Sequence, residues 1–172
     1  MIKYPLSTLA LILNMVVALL PYCWWTYSVG GIIKIDDSLF LLNIYFEGQY
    51  LYISNFINMI LFAFRFYVIA VSLYFLYLIL RRGEKRNYLL IAWASLFYIL
   101  DPVIIYIIFN YILSHFIQGV TYPFFIIGQE SVEFTDSGYQ ITMLIQSYPT
   151  FTYWFSLAVG IINLISRFLK KY

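Results

Sequence analysis

The sequence predicts an all-α membrane bundle of four transmembrane helices that carries a small extracellular antiparallel β-sheet. Three observations lead to this fold class. The chain of 172 residues is 63% hydrophobic and 10% charged, it contains four long apolar runs, and its basic residues gather at one set of ends of those runs. A soluble helical protein of this length has no core large enough to bury such runs. We expect a single integral membrane domain over residues 1–172.

The four apolar runs are the expected membrane spans. Each approaches or exceeds the ~20 residues that a helix needs to cross a hydrocarbon layer of ~30 Å. The first resembles a secretory signal in length, but no small-residue cleavage site follows it, so we interpret it as a retained helix. The third is long enough to bend at Pro102 or to project beyond the bilayer, because proline removes a backbone donor. The spans cover about residues 6–22, 55–80, 87–116 and 150–169.

The charged residues give the expected orientation, because Lys and Arg in short loops stay on the cytoplasmic side of a membrane. Eight of the ten basic residues fall on one side of the four runs, and six of the eight acids fall on the other. We therefore expect a multi-pass protein of the cell membrane with both termini cytoplasmic. The basic positions are membrane ends, so the net charge of +2 gives no reason to expect a nucleic-acid partner. The basic set is Lys3, Arg81, Arg82, Lys85, Arg86, Arg167, Lys170 and Lys171, and the acidic set is Asp36, Asp37, Glu47, Glu130, Glu133 and Asp136.

The two outer segments, about residues 23–54 and 117–149, consist of short β-prone runs separated by turn residues. Open sheet edges do not occur in hydrocarbon, so we expect these strands above the bilayer. In the first segment the predicted strands are Trp25–Val29, Ile32–Ile35, Leu39–Phe46 and Tyr50–Ile53, with turns at Gly30–Gly31 and Asp36–Ser38. In the second they are Pro123–Ile127, Ser131–Phe134 and Tyr139–Ile145, with a hairpin turn at Thr135–Gly138.

Two ionisable residues, Arg65 and Asp101, lie within the expected spans, where such groups are costly and normally paired. Each is 18 residues from Gly83, so antiparallel helices joined at that glycine place them at similar depth. We predict a structural ion pair between them. An ion or proton path is the functional alternative. If the pair does not form, we expect Arg65 to reach Glu47 or backbone carbonyls under the sheet.

The remaining polar residues indicate no enzyme, no cofactor and no metal site. Cys23 is the single cysteine and His115 the single histidine, so the sequence contains no nucleophile–base pair and no zinc set. His115 lies near the acidic second segment, where an imidazole can sense pH, although a satisfied interfacial histidine is the simpler interpretation. We expect three amides in the spans to serve helix contacts: Asn58, Asn110 and Asn163.

Four motifs occur in an order that resembles the claudins and related peripheral myelin proteins. They are Leu20-Pro21-Tyr22-Cys23-Trp24-Trp25, Phe46-Glu47-Gly48-Gln49-Tyr50, Ala63-Phe64-Arg65 followed by Val68-Ile69-Ala70, and Asp101-Pro102-Val103. The extracellular cysteine pair of that family is absent. The resemblance implies a claudin-like tetraspan in which Trp25, Phe46, Glu47, Gly48 and Tyr50 seat the sheet on the helices. An interfacial aromatic belt is the alternative role for these rings.

The expected function is a non-enzymatic tetraspan that organises membrane or cell-surface contacts through its outer β-layer and by lateral self-association. Its expected partners are the lipid bilayer and either further copies of the chain or other membrane proteins. One alternative is an accessory subunit of a larger membrane complex. Another is a small channel or transport component, which needs a polar line along the helices that the sequence does not display.

Overall fold

A computed structural model describes residues 4–85, 89–107, 111, 127–136 and 139–169, and within them the chain forms four α-helices and six β-strands. The helices are α1 (Pro5–Leu19), α2 (Ile53–Tyr77), α3 (Leu89–Ile107) and α4 (Phe151–Phe168). The strands are β1 (Trp25–Val29), β2 (Ile33–Ser38), β3 (Leu41–Phe46), β4 (Gln49–Tyr50), β5 (Gly128–Asp136) and β6 (Tyr139–Pro149).

Local sequence signals explain where several helices begin and end. Pro5 lies in the first turn of α1, where its missing N–H has no intrahelical acceptor to lose. Helix α2 continues as five π-helical residues, Leu78–Arg82, and ends at Gly83, whose φ of 62° is the left-handed conformation of a helix C-cap. Helix α3 continues through Pro102, so this proline does not end it.

All six strands belong to one antiparallel sheet with the order β4-β3-β2-β1-β6-β5. Strand β1 pairs on one side with β2, which follows it directly, and on the other side with β6, which comes from the far end of the chain. Trp25 therefore lies between Asp37 on β2 and Pro149 on β6. Gly30 and Gly31, with φ of 56° and 72°, make the β1–β2 turn in a backbone conformation that favours glycine.

The four helices pack beneath one face of the sheet, which we call the inner face. Successive strand residues point to opposite faces, so Trp25 and Tyr27 are buried on the inner face while Thr26 and Ser28 lie on the outer face. Helix α1 packs against α2 and α4, and α3 packs mainly against α4. A Cβ on Gly160 of α4 would lie 3.0 Å from the carbonyl oxygen of Ser95, so this glycine permits a close approach of α3 and α4.

The expected fold class, an all-α bundle of four membrane-crossing helices with a small sheet, is wrong in two respects. The sheet is a major part of the fold, since 26% of the residues lie in its six strands. Among the described residues, two helices are long and apolar enough to cross a bilayer, and these are α2 with its π-helical end (Ile53–Arg82) and α4. Helix α1 and the stretch Trp93–Ile104 within α3 are also apolar, but each is shorter, at 10–17 residues. The physical reason is that an apolar run in sequence continues past the end of its helix; α1, for example, ends before Pro21.

Several local strand predictions are confirmed, because β1, β3 and β6 contain the predicted runs or most of them. The predicted turn Asp36–Ser38 is instead the end of β2. The predicted strand Tyr50–Ile53 is mostly replaced by the start of α2 at Ile53. Residues 123–126 of another predicted strand and 137–138 of the predicted hairpin turn lie outside the described residues, as do Asn110 and His115.

Candidate functional site

Arg65 of α2 reaches up to the turn between β2 and β3. Its Nη2 donates a hydrogen bond to the carbonyl oxygen of Phe40 at 3.1 Å, and its guanidinium carbon lies 5.9 Å from the centre of the Phe40 ring. A backbone carbonyl under the sheet was the expected alternative to an ion pair for Arg65. The guanidinium therefore holds a sheet turn against α2 by a charge-assisted hydrogen bond and a cation–π contact.

The expected ion pair between Arg65 and Asp101 is not formed. Among the described residues the one ion pair is Lys34–Asp36, at 2.9 Å on the outer face. Equal distance along the chain from Gly83 gives equal depth, but it does not fix the direction in which each side chain points around its helix. The Arg65 side chain extends to Phe40, and Asp101 faces a pocket under the sheet.

That pocket has a volume of about 290 Å³ and lies between the inner face of the sheet and the first turns of α2. Its walls are mostly aliphatic and come from β2, β3 and α2. Two carboxylates interrupt them, Asp37 from β2 and Asp101 from α3. The aliphatic lining residues are Ile35, Leu39, Leu42, Ile44, Ile57 and Leu61, and Tyr27 and Ser38 complete the wall.

Both carboxylates are almost completely buried, with 6% of each residue exposed. The Oδ2 atom of each accepts no hydrogen bond from the protein. Asp37 does accept a hydrogen bond from the backbone N–H of Ser38. Burial of a carboxylate without full compensation disfavours its charged form. Burial and the neighbouring Asp101 carboxylate together raise the pKa of Asp37 well above its usual range.

Alternation along β2 explains why Asp37 is inside while its neighbour is outside. Asp36 accepts hydrogen bonds from Lys34 and from the hydroxyl of Thr26, each at 2.9 Å, on the outer face. Asp37 shares the inner face with Ile33 and Ile35. The sequence predicts a turn at residues 36–38, so Asp37 is not among the predicted site residues. The period of two that begins at Ile33 is the signal that places Asp37 on the inner face.

Trp25 lies where the sheet meets α4. Its Nε1 donates a hydrogen bond to Ser147 Oγ at 2.8 Å, and its ring meets that of Tyr153 edge to face at 5.1 Å. With 2% of its surface exposed, Trp25 is part of the core between the sheet and the helices.

The other residues predicted to seat the sheet lie away from that core. Phe46 is 46% exposed, and Glu47 and Gly48 form the exposed β3–β4 turn with φ of 50° and 77°. Tyr50 donates a hydrogen bond to Asn55 Oδ1 at 3.0 Å on the surface. The structure therefore does not bring these four residues together with Trp25, because the motif that contains them is a tight turn at the rim of the sheet.

Three aromatic rings outside the predicted set hold the sheet to the helices instead. Trp24, Phe40 and Tyr98 meet pairwise edge to face, with centroids 5.3 to 6.0 Å apart. Asn58 of α2 adds a two-point contact, since it accepts a hydrogen bond from Leu42 N at 2.7 Å and donates one to Leu42 O at 2.9 Å. The shared feature that could identify these residues in the sequence is their position. Trp24 precedes β1, Phe40 lies in the turn between β2 and β3, and Asn58 and Tyr98 lie in helix segments that face the sheet.

The thiol of Cys23, the single cysteine, has little reactivity. Burial, assisted by the charges of Asp36 and Asp37, raises the pKa of the Cys23 thiol to about 11, so the thiolate form is scarce at neutral pH. Within the described ranges no group of three His, Cys, Asp or Glu side chains is placed to hold a metal ion. The pocket with its two carboxylates is thus the most distinctive chemical feature of this part of the chain.

No protein-family model, no curated protein and no solved structure matches the chain. The resemblance to claudins stays a prediction.

Proposed function

We propose that this chain is a non-enzymatic membrane protein that organises contacts at the membrane surface through its sheet and by lateral self-association. One observation carries the proposal: the 30-residue helical segment Ile53–Arg82 leaves its apolar surface uncovered, with 11% of its most apolar window buried. Soluble monomers rarely expose apolar patches of more than a few hundred Å². The exposed side chains include Phe56, Met59, Phe62, Phe66, Leu73 and Tyr77.

The polar groups at the two ends of the helices support the same placement. Helices α2 and α4 both begin next to the sheet, and both end near basic residues, Arg81 and Arg82 in one case and Arg167 in the other. Lys85 Nζ, just after the π-helical end of α2, donates to the carbonyl oxygens of Ser166 and Leu169 at the end of α4, at 2.5 and 2.6 Å. By the positive-inside rule this end is cytoplasmic and the sheet is outside.

The sheet offers one long edge for association. Strand β5 has nine residues and ends the sheet on one side, whereas β4 ends the other side with two residues. An edge strand presents unpaired backbone N–H and C=O groups that can pair with another chain. The order of motifs that resembles claudins supports the same role.

Accessibility to a water-soluble maleimide tests the membrane placement. In a Cys23→Ser background, Lys34→Cys on the outer face should react in intact cells, and Phe66→Cys on the exposed face of α2 should react only after detergent is added. Equal rates at the two positions without detergent would show that α2 lies in water, and the proposal would be rejected.

Crosslinking at the sheet edges tests self-association. In the same background, Gln129→Cys on β5 should give disulfide-linked dimers in membranes under mild oxidation. Gln49→Cys on the two-residue strand β4 is the matched control and should give few. If Gln129→Cys stays monomeric and the wild-type protein copurifies with a fixed set of other proteins, the organising role fails and the accessory-subunit alternative replaces it.

A further inference from the structure

The pocket beneath the sheet contains acceptors without donors. Asp37 and Asp101 each have one oxygen that accepts no hydrogen bond from the protein, and both side chains are more than nine-tenths buried. They belong to different elements, a strand above and a helix below, and both line the same space. Burying two carboxylates in this pocket costs desolvation free energy, and the packing of the surrounding side chains does not offset that cost.

Neighbouring cations do not neutralise this pair among the residues that the structure describes. Arg65 donates from Nη2 to the Phe40 carbonyl and forms no ion pair with either carboxylate, although its Nε has no hydrogen-bond partner in the protein. Lys34 lies on the opposite face of the sheet and is bound to Asp36. The negative charge of the two carboxylates must therefore be neutralised by a proton or by a ligand that carries a positive charge.

The chemistry of the walls narrows the kind of ligand. Ca²⁺ takes about 6–8 oxygen ligands and Mg²⁺ keeps several bound waters, and the mostly aliphatic walls offer few further oxygens to bind either ion or its waters. An ammonium group brings up to three N–H donors, which can satisfy both free carboxylate oxygens by charge-assisted hydrogen bonds. The isoleucine and leucine side chains around the carboxylates suit a hydrocarbon body. At about 290 Å³ the space is at the small end of the range for ligand pockets, so the body is short.

We infer that this pocket binds a protonated primary amine with a short aliphatic body, whose ammonium group lies between Asp37 and Asp101. The inference goes beyond the proposed function and does not rest on it, since the site is built from the sheet and the tops of α2 and α3. The raised pKa of Asp37 adds one expectation: below that pKa, Asp37 releases a proton when the ammonium group binds.

Calorimetric titration of the detergent-purified chain with n-hexylamine tests the inference. n-Hexanol, with the same hydrocarbon body and no charge, should bind about tenfold or more weakly, the loss expected for a charge-assisted hydrogen bond. Asp37→Asn and Asp101→Asn should each weaken hexylamine binding by a similar factor. Asp36→Asn is the matched control, one residue away on the opposite face, and should change it less than about twofold.

Two further measurements complete the test. Titration in buffers of different ionisation enthalpy should reveal proton release by the wild-type protein and less release by Asp37→Asn. Dihexanoylphosphatidylethanolamine, which carries the same ammonium group on a lipid, identifies the source: tighter binding than hexylamine indicates a lipid headgroup, and weaker binding indicates a free amine. The inference is overturned if hexanol binds the wild-type protein as well as hexylamine does, or if both asparagine variants retain wild-type affinity for hexylamine.

Discussion

Asp36 and Asp37 are adjacent in the chain, yet β2 places them in opposite environments. Asp36 has a lysine and a threonine as partners at the surface, while Asp37 is 6% exposed and shares a pocket with Asp101. The difference arises only from the alternation of side chains along a strand. A single-residue step therefore decides whether a carboxyl group at this position is easy or costly to ionise.

The pH dependence of stability follows from the raised pKa of Asp37. An unfolded aspartate titrates near pH ~3.9, and the folded one titrates at higher pH. Between these two values the folded state holds the extra proton, so stability falls as pH rises through this window and is constant above it. Asp37→Asn should flatten this fall and raise the free energy of unfolding at pH values above the folded pKa of Asp37. The expected gain is about 1.4 kcal/mol for every pH unit between the folded and the unfolded pKa of Asp37.

Chemical denaturation from pH 4 to 8 in detergent measures this effect. The groups that face Asp37 are Asp101 from α3 and Tyr27 from β1, with Arg65 of α2 turned toward Phe40. A wild-type protein that gains stability over this range, with no change of slope in Asp37→Asn, would contradict the prediction.

The two aromatic residues Trp25 and Phe46 should differ sharply on truncation. Trp25→Ala removes a ring that is 2% exposed, together with its hydrogen bond to Ser147, and should cost about 3–5 kcal/mol of unfolding free energy. Phe46→Ala removes a ring that is 46% exposed and should cost under about 1 kcal/mol. Denaturation of the two variants under identical detergent conditions compares their losses of unfolding free energy. Similar losses would show that the sheet is not held to the helices through Trp25.

At the scale of elements, helix α2 is held to the sheet by polar contacts at its upper half. Asn58 binds both backbone groups of Leu42, and Ser54 Oγ accepts a hydrogen bond from Ile44 N at 3.0 Å. Arg65 adds its contact with Phe40 two turns further along. Strand β3 and the turn before it are thus attached to one helix face, and the register between sheet and helix is fixed by hydrogen bonds.

A double-mutant cycle tests whether Arg65 acts on α3 or on the sheet. Arg65→Met should lose about 1.5–3 kcal/mol, the value of a hydrogen bond to a charged donor, because the Phe40 carbonyl loses that donor. With Arg65 and Asp101 unpaired, Arg65→Met and Asp101→Asn should add within about 0.5 kcal/mol. A coupling energy well above that limit, measured by denaturation of the four proteins, would restore the ion pair between α2 and α3.

Elements with local signals were predictable from the sequence, and contacts between distant elements were not. Gly30–Gly31 and the β-prone runs around them are sufficient to predict β1 and most of β3, and the apolar runs predict α2 and α4 closely. The pairing of β1 with β6 depends on residues far apart in the chain, which no local pattern reports. The prediction of the ion pair was wrong for a related reason. The position of Arg65 in the sequence indicates its depth in the bundle, but it does not determine the direction in which the side chain points around α2.

At the scale of the whole molecule, the basic end joins three distant parts of the chain. Lys85 donates to the last carbonyls of α4 and lies 5.7 Å from the centre of the Tyr4 ring, next to the start of α1. These carbonyls have no intrahelical donor, so the ammonium group satisfies groups that are otherwise left to solvent. One side chain thus links the beginning, the middle and the end of the described chain.

Removal of this ammonium group should loosen the last turn of α4. Lys85→Met removes both of the hydrogen bonds that Lys85 donates and is expected to speed amide hydrogen exchange there by at least about two- to tenfold, the change for a loss of ~0.5–1.5 kcal/mol per hydrogen bond. Arg82→Met, in the same basic end, is the control and should leave the rates unchanged. Exchange followed by mass spectrometry at residues 164–169 gives the answer, and equal effects of the two variants would mean that net charge, not the Lys85 contact, protects this turn.

The central position of β1 also has a consequence for biosynthesis. Trp25 and its partner Ser147 on β6 are 122 residues apart in the chain. At synthesis rates of ~5–20 residues per second, the ribosome needs roughly 6–24 s to deliver β6 after β1 has emerged. During that interval β1 can pair only with β2, and its other backbone edge is a template for any nascent strand nearby. A chain interrupted between α2 and β5 keeps this edge permanently open, so truncated products should aggregate far more readily than the complete protein.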